Sequence, residues 1–276
     1  MRQSSALLLG LALVACDDAE SSITIRFAPV FGERAFSCAA PIAGVGLGGS
    51  TVEVRDFRMY VSQVALITAD GERVPLALRE DRWQRDGIAL LDFEDDSGTC
   101  KTGSAATNFE VRGAAPAGEY TGVAFMVGLP EANNHLDAAT APAPFNAQGM
   151  WWSWSGGYKY MKIDLRPAGQ EEYFFHLGAT ACDGTVAGGF TCEYGNHAEI
   201  VLEGFDPAAS EIVVDAGAIF AGVDVDRKPD NVTDTLPGCM AFPGDPECGP
   251  MLESFGLTYL GDQPAAAQRV FSVRAR

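Results

Sequence analysis

The stretch Tyr160–Pro167, YMKIDLRP, alternates apolar and charged residues without a break: Met161, Ile163 and Leu165 against Lys162, Asp164 and Arg166. Side chains of a strand point to opposite faces with a period of two, so this is the pattern of a strand with one face in a core. The same reading holds for SITIRF (22–27), TGVAFMVGL (121–129), HAEIVLEGF (197–205) and RVFSVR (269–274). Turn-forming clusters lie between such runs, including Ala-Asp-Gly at 69–71, Pro-Ala-Gly at 116–118 and Gly-Asp-Pro at 244–246. Helical periodicity is confined to short pieces, Pro130–Leu136 and Pro250–Phe255. The expected fold is therefore all-β, an antiparallel β-sandwich or barrel with long loops and disulfides.

The chain opens with MRQSSALLLGLALVAC, a short basic start and an apolar run ending at Cys16. That is the pattern of an export leader over 1–15, too short to span a membrane as a mature helix. Leu13-Val14-Ala15-Cys16 resembles a bacterial lipobox, which makes Cys16 the expected lipidation site and the lipid the expected membrane contact. The expected location is the bacterial cell envelope, as a periplasm-facing lipoprotein. Residues 16–22 then serve as a tether and 23–276 as a single domain. Of seven cysteines, the other six read as three disulfides in an exported chain. Cys182 with Cys192 and Cys239 with Cys248 are close in sequence, which leaves Cys38 with Cys100. With 47% hydrophobic residues the chain has material for a core. The net charge of −18 excludes nucleic acid as a partner, because nothing neutralises phosphates.

Three of the four tryptophans, Trp151, Trp152 and Trp154, crowd into MWWSWSGGYKY (150–160). In a strand Trp151 and Trp152 point to opposite faces, so core packing does not account for both. The longest irregular stretch, NNHLDAATAPAPFNAQG, leads straight into them, and long loops in compact domains tend to be functional. His135 opens this loop, His176 lies in FFHLG out of phase with Tyr173, Phe175 and Leu177, and His197 is the third histidine. Imidazole is a common metal ligand, so two histidines converging beside aromatic rings make a copper site. No G-x-S-x-G, H-E-x-x-H or phosphate-binding glycine loop is present. The acidic runs at 92–98 and 224–230 are either calcium ligands or solvated turns.

NNHLDAATAPAPFNAQGMWWSWSGGYKYMKIDL (133–165) resembles the signature of the MbnP-like family, the metallo-mystery pair four-Cys motif proteins. FFHLGATAC (174–182), VLEGFDP (201–207) and GCMAFPGDPECGPMLESFGL (238–257) extend the likeness. The resemblance implies an exported β-rich protein that binds one copper ion and turns nothing over. It also implies a partner, a diheme enzyme similar to cytochrome c peroxidases and related to MbnH. That enzyme oxidises a tryptophan to kynurenine, whose aryl amine joins histidines on the copper. An indole nitrogen is no ligand, because its lone pair belongs to the ring; opening the ring frees an amine that is. Carried onto this chain, the ligands are His135, His176 and a kynurenine from Trp152 or Trp154, with His197 a further candidate and Trp151 left to packing. Asn133, Asn134, Asp137 and Tyr158 are the nearby polar groups for orienting them. The rival readings are a carbohydrate-binding sandwich that uses the tryptophans as a stacking platform, and a copper redox enzyme.

Overall fold

The computed structural model describes residues 20–101, 103–228, 235–259 and 267–276. The leader and Cys16 lie outside the described residues. The chain forms a sandwich of sheets that do not close into a barrel, with three disulfides. The spine is the strand Ser50–Thr68, which pairs antiparallel with Ile88–Asp92, Tyr120–Val127 and Met161–Pro167. Met161–Pro167 in turn carries Tyr173–Leu177 on its other side. The facing sheet is built on Glu20–Phe31, which begins three residues before the expected Ile23 and pairs with Glu110–Pro116 and Ser210–Asp215. Aromatic edges close the space between the sheets: Phe27 meets Phe125 at 5.6 Å and Phe125 meets Phe271 at 5.3 Å, both T-shaped.

Period-two burial is clean in Ala198–Glu203 and Ser210–Asp215. Two strand pairs depart from the antiparallel expectation. Glu20–Phe31 runs parallel to Ser210–Asp215, and Tyr173–Leu177 runs parallel to Gly238–Cys239. Parallel pairing needs a long crossover, which both pairs have, and such distant partners leave no local signal. The expected helices shorten to Glu131–Asn134 and Cys248–Glu253, and a third, Ala216–Phe220, is capped by the Asp215 side chain. Cys38–Cys100, Cys182–Cys192 and Cys239–Cys248 pair as expected. The acidic runs are occupied by the protein itself. Asp226 accepts from Ser50 Oγ (2.7 Å) and Gly169 N (2.8 Å), and Glu94 accepts from Asp96 N and Ser104 N.

The alternation at Tyr160–Pro167 holds, but its charged side does not face water. Lys162 is 6% exposed and Asp164 8%, while Arg166 alone reaches solvent. Residues 130–160 cross over this side of the sheet. Tyr60 Oη ties them to the sheet through the Pro144 carbonyl (2.9 Å), and the segment is braced within itself by Tyr158 Oη to the Phe145 carbonyl (2.7 Å) and Lys159 Nζ to the Gly149 carbonyl (2.9 Å). The sandwich thus has a polar interior layer under a loop, in addition to its apolar core.

Asp92 sits at the edge of that layer, opposite Arg58 in register, with Oδ1 buried and without a hydrogen-bond partner. Burial, helped by Glu94 and Asp56 and opposed by Arg58, pushes its carboxyl up to about 8. The folded state therefore keeps a proton at neutral pH that the unfolded chain has already released above about pH 4. Stability from this group is present at acid pH and is lost as pH rises toward 8. Asp92→Asn is expected to remove that loss, so its thermal midpoint gains on wild type steadily between about pH 5 and pH 8. Parallel melting curves for the two proteins would refute the assignment.

Candidate metal centre

Strand register brings the polar residues into rows. Arg58 lies opposite Lys162, and Lys162 opposite His176; Asp56 lies opposite Asp164 in the next row. His176 is 6% exposed, and its Nε2–H donates to Asp164 Oδ1 at 2.7 Å. Its other ring nitrogen, Nδ1, is buried without any partner. Burial lowers the pKa of His176 against the opposing pull of Asp164, so the ring is neutral at pH 7. For Asp164, burial works upward, but the hydrogen bond from His176 and the Lys162 ammonium outweigh it and hold the carboxyl at about 2. A carboxylate on one nitrogen and a lone pair left on the other is how proteins prepare a histidine for a metal. The donor chemistry fits copper, which imidazole suits.

The three tryptophans separate. Trp151 packs on the core edge, and Trp154, 40% exposed, meets it edge-on at 5.9 Å and 84°. Trp152 turns the other way, with its ring 6.3 Å from His176, 5.8 Å from Phe242 and under the Lys159 ammonium at 5.9 Å. Trp151 and Trp154 stand perpendicular, so these two rings share no common flat face. Two glycines make room for this arrangement. A Cβ on Gly178 would lie 2.6 Å from Trp152 Cζ3, and one on Gly157, at φ +67°, would lie 2.6 Å from the Asn134 amide.

His135 is placed on the same segment from the other side. Its Nδ1–H donates to the Trp154 carbonyl (2.8 Å), and its Nε2 accepts from the Asn134 amide (3.3 Å). That Nε2 also lies 3.5 Å from Cys192 Sγ, and the ring stacks on Phe190 at 4.6 Å. His135, Cys182 and Cys192 form a compact group, but the two sulfurs are bonded to each other and offer no thiolate. Among the described residues, no hydrogen bond or ring contact joins His135 to His176. His197 is exposed, stacks on Tyr160 and donates Nε2–H to the Leu129 carbonyl at 2.7 Å.

Of the expected orienting groups, Asn134 touches His135 and also accepts from Tyr158 N, whereas Asp137 caps its own turn through Ala139 N and Thr140 Oγ1. The groups that orient His176 are Asp164 and, behind it, Lys162 and Asp56. For Lys162 and Asp164 the signal in the sequence is the charged half of the alternating strand Tyr160–Pro167, and alternation alone does not say whether that half meets water or a second buried layer.

The MbnP family profile matches residues 20–241. Among solved structures, MbnP from Methylosinus trichosporium superposes with a TM-score of 0.82 at 29% identity, covering 93% of this chain and 99% of that one. No curated protein matches the chain.

Proposed function

The chain belongs to the MbnP family, and from that premise we propose that it is an exported copper-binding protein, anchored by a lipid on Cys16 in the bacterial cell envelope, with no turnover of its own. His176 Nδ1 and the aryl amine of a kynurenine made from Trp152 hold the copper, and His135 supplies a second imidazole through Nε2. The observation that carries this reading is the buried, partnerless Nδ1 of His176 beside the Trp152 ring. Trp152 is preferred to Trp154 because it alone of the two contacts His176. A diheme enzyme of the cytochrome c peroxidase type, similar to MbnH, is the proposed oxidant of the indole. Copper would supply a Lewis-acidic centre that nitrogen donors suit; the chain's own residues orient those donors and bury them. Asp164 fixes the ring proton of His176 on Nε2, Lys159 covers one face of Trp152, and Phe242 the rim.

The test is peptide mapping of 145–162 on protein co-produced with such a diheme enzyme, with copper counted in the same sample. A mass gain of one oxygen less one carbon on Trp152, with one copper per chain, is the expected result. The same gain on Trp154 would move the centre to His135. An unmodified, copper-free peptide despite active partner would overturn the proposal.

A further inference from the structure

The polar layer under the 130–160 loop is one connected chain of ion pairs that ends in a hydrogen bond from the neutral His176 ring. His176 donates to Asp164 Oδ1; Asp164 Oδ2 accepts from Lys162 Nζ at 2.9 Å; Lys162 Nζ also reaches Asp56 Oδ2; and Asp56 takes Arg58 through Nε (2.8 Å) and Nη2. Every member is buried, Asp56 completely. Buried ion pairs are weak stabilisers, and well-packed apolar residues of similar volume often do as well or better. Fold stability alone therefore gives little reason for a lysine here. Orientation gives one. Asp164 has two oxygens with separate duties, Oδ1 for the histidine and Oδ2 for the lysine, so the ammonium sets the rotation of the carboxylate that His176 meets.

We propose that Lys162 is a positioning residue for His176: bridging Asp56 and Asp164, it fixes the carboxylate so that the ring proton stays on Nε2 and the Nδ1 lone pair stays turned to the metal. This rests on the reading of His176 as a copper ligand, and it adds a residue that touches neither copper nor tryptophan. Without the ammonium, Asp56 and Asp164 are two carboxylates with no cation between them. The Asp164 side chain is then free to turn, and the ring populates the tautomer with its proton on Nδ1, which blocks the metal.

The experiment uses the full mature chain without copper. Proton–nitrogen correlation spectra of histidine-labelled protein report which nitrogen of His176 carries the proton. Wild type is expected to show Nε2–H alone. Lys162→Met and the gentler Lys162→Gln are expected to show a substantial Nδ1–H population, and Lys162→Arg to restore the wild-type pattern. Copper affinity of kynurenine-bearing protein should fall about 10- to 100-fold in the first two variants and recover in the third. An unchanged tautomer in folded Lys162→Gln would overturn the proposal. A shifted tautomer with unchanged copper affinity would instead overturn His176 as a ligand while leaving Lys162's hold on the ring established. The two readings therefore fail separately.

Discussion

Replacing His176 with alanine is expected to abolish copper retention through dialysis in protein that already carries the modified tryptophan. The loss should exceed the about 10- to 100-fold typical of losing a group that merely hydrogen-bonds a ligand. The reason is local. The Nδ1 lone pair is buried, has no protein partner, and belongs to a ring that burial keeps neutral at pH 7. Alanine supplies no donor there, and the rings that pack on His176, Trp152 and Phe174, offer carbon surfaces, while Asp164 lies on the ring's other nitrogen. Copper per chain by elemental analysis, with affinity from competition against a chelator, is the measurement. Copper bound at wild-type level and affinity would remove His176 from the ligand set. Circular dichroism on the same sample separates this from unfolding.

Asp56→Ala is expected to cost about 3–5 kcal/mol of stability, the range for breaking a buried charge cluster by removing one partner. Asp56 is 0% exposed and receives both Arg58 and Lys162. Burial opposes the charge on Arg58, and the hydrogen bond to Asp56 together with the charges of the surrounding carboxylates outweighs that opposition. Taking away the carboxylate leaves two desolvated cations sharing fewer acids. Urea unfolding, read as a lower midpoint at unchanged slope, gives the number. A change below about 1 kcal/mol would mean the layer is wet enough to screen its charges, as at an exposed pair. It would also weaken the case that Lys162 holds Asp164 rigidly.

The all-β class and two of the three disulfides were legible because they depend on near neighbours, whereas Cys38–Cys100, 62 residues apart, followed only as the pair left over. Alternation in YMKIDLRP fixes strand conformation within a few residues, and Cys182–Cys192 closes a hairpin within ten. Glu20–Phe31 was legible as a strand for the same reason. Its parallel partner Ser210–Asp215 was not, since nothing in either segment encodes the other's distance. The three histidines and the tryptophan cluster were legible as candidates by residue type. Sequence left Trp152 and Trp154 equivalent, whereas the fold turns one onto His176 and the other to solvent.

By itself the sequence determined the all-β class and several of its strands, which cysteines pair, and which side chains have the chemistry to hold a metal, but not the long central strand Ser50–Thr68. These follow from local geometry and from what each functional group can donate. The tertiary structure alone decided that Lys162 and Asp164 face inward. Their side of the sheet would be the solvent side of an ordinary sandwich, but residues 130–160 lie across it. Burial changes what those residues are. In water they would be a screened pair of little consequence; under the loop they join ion pairs running from Asp56 through Lys162 to Asp164, closed by the hydrogen bond from His176, with one nitrogen lone pair left over at the end.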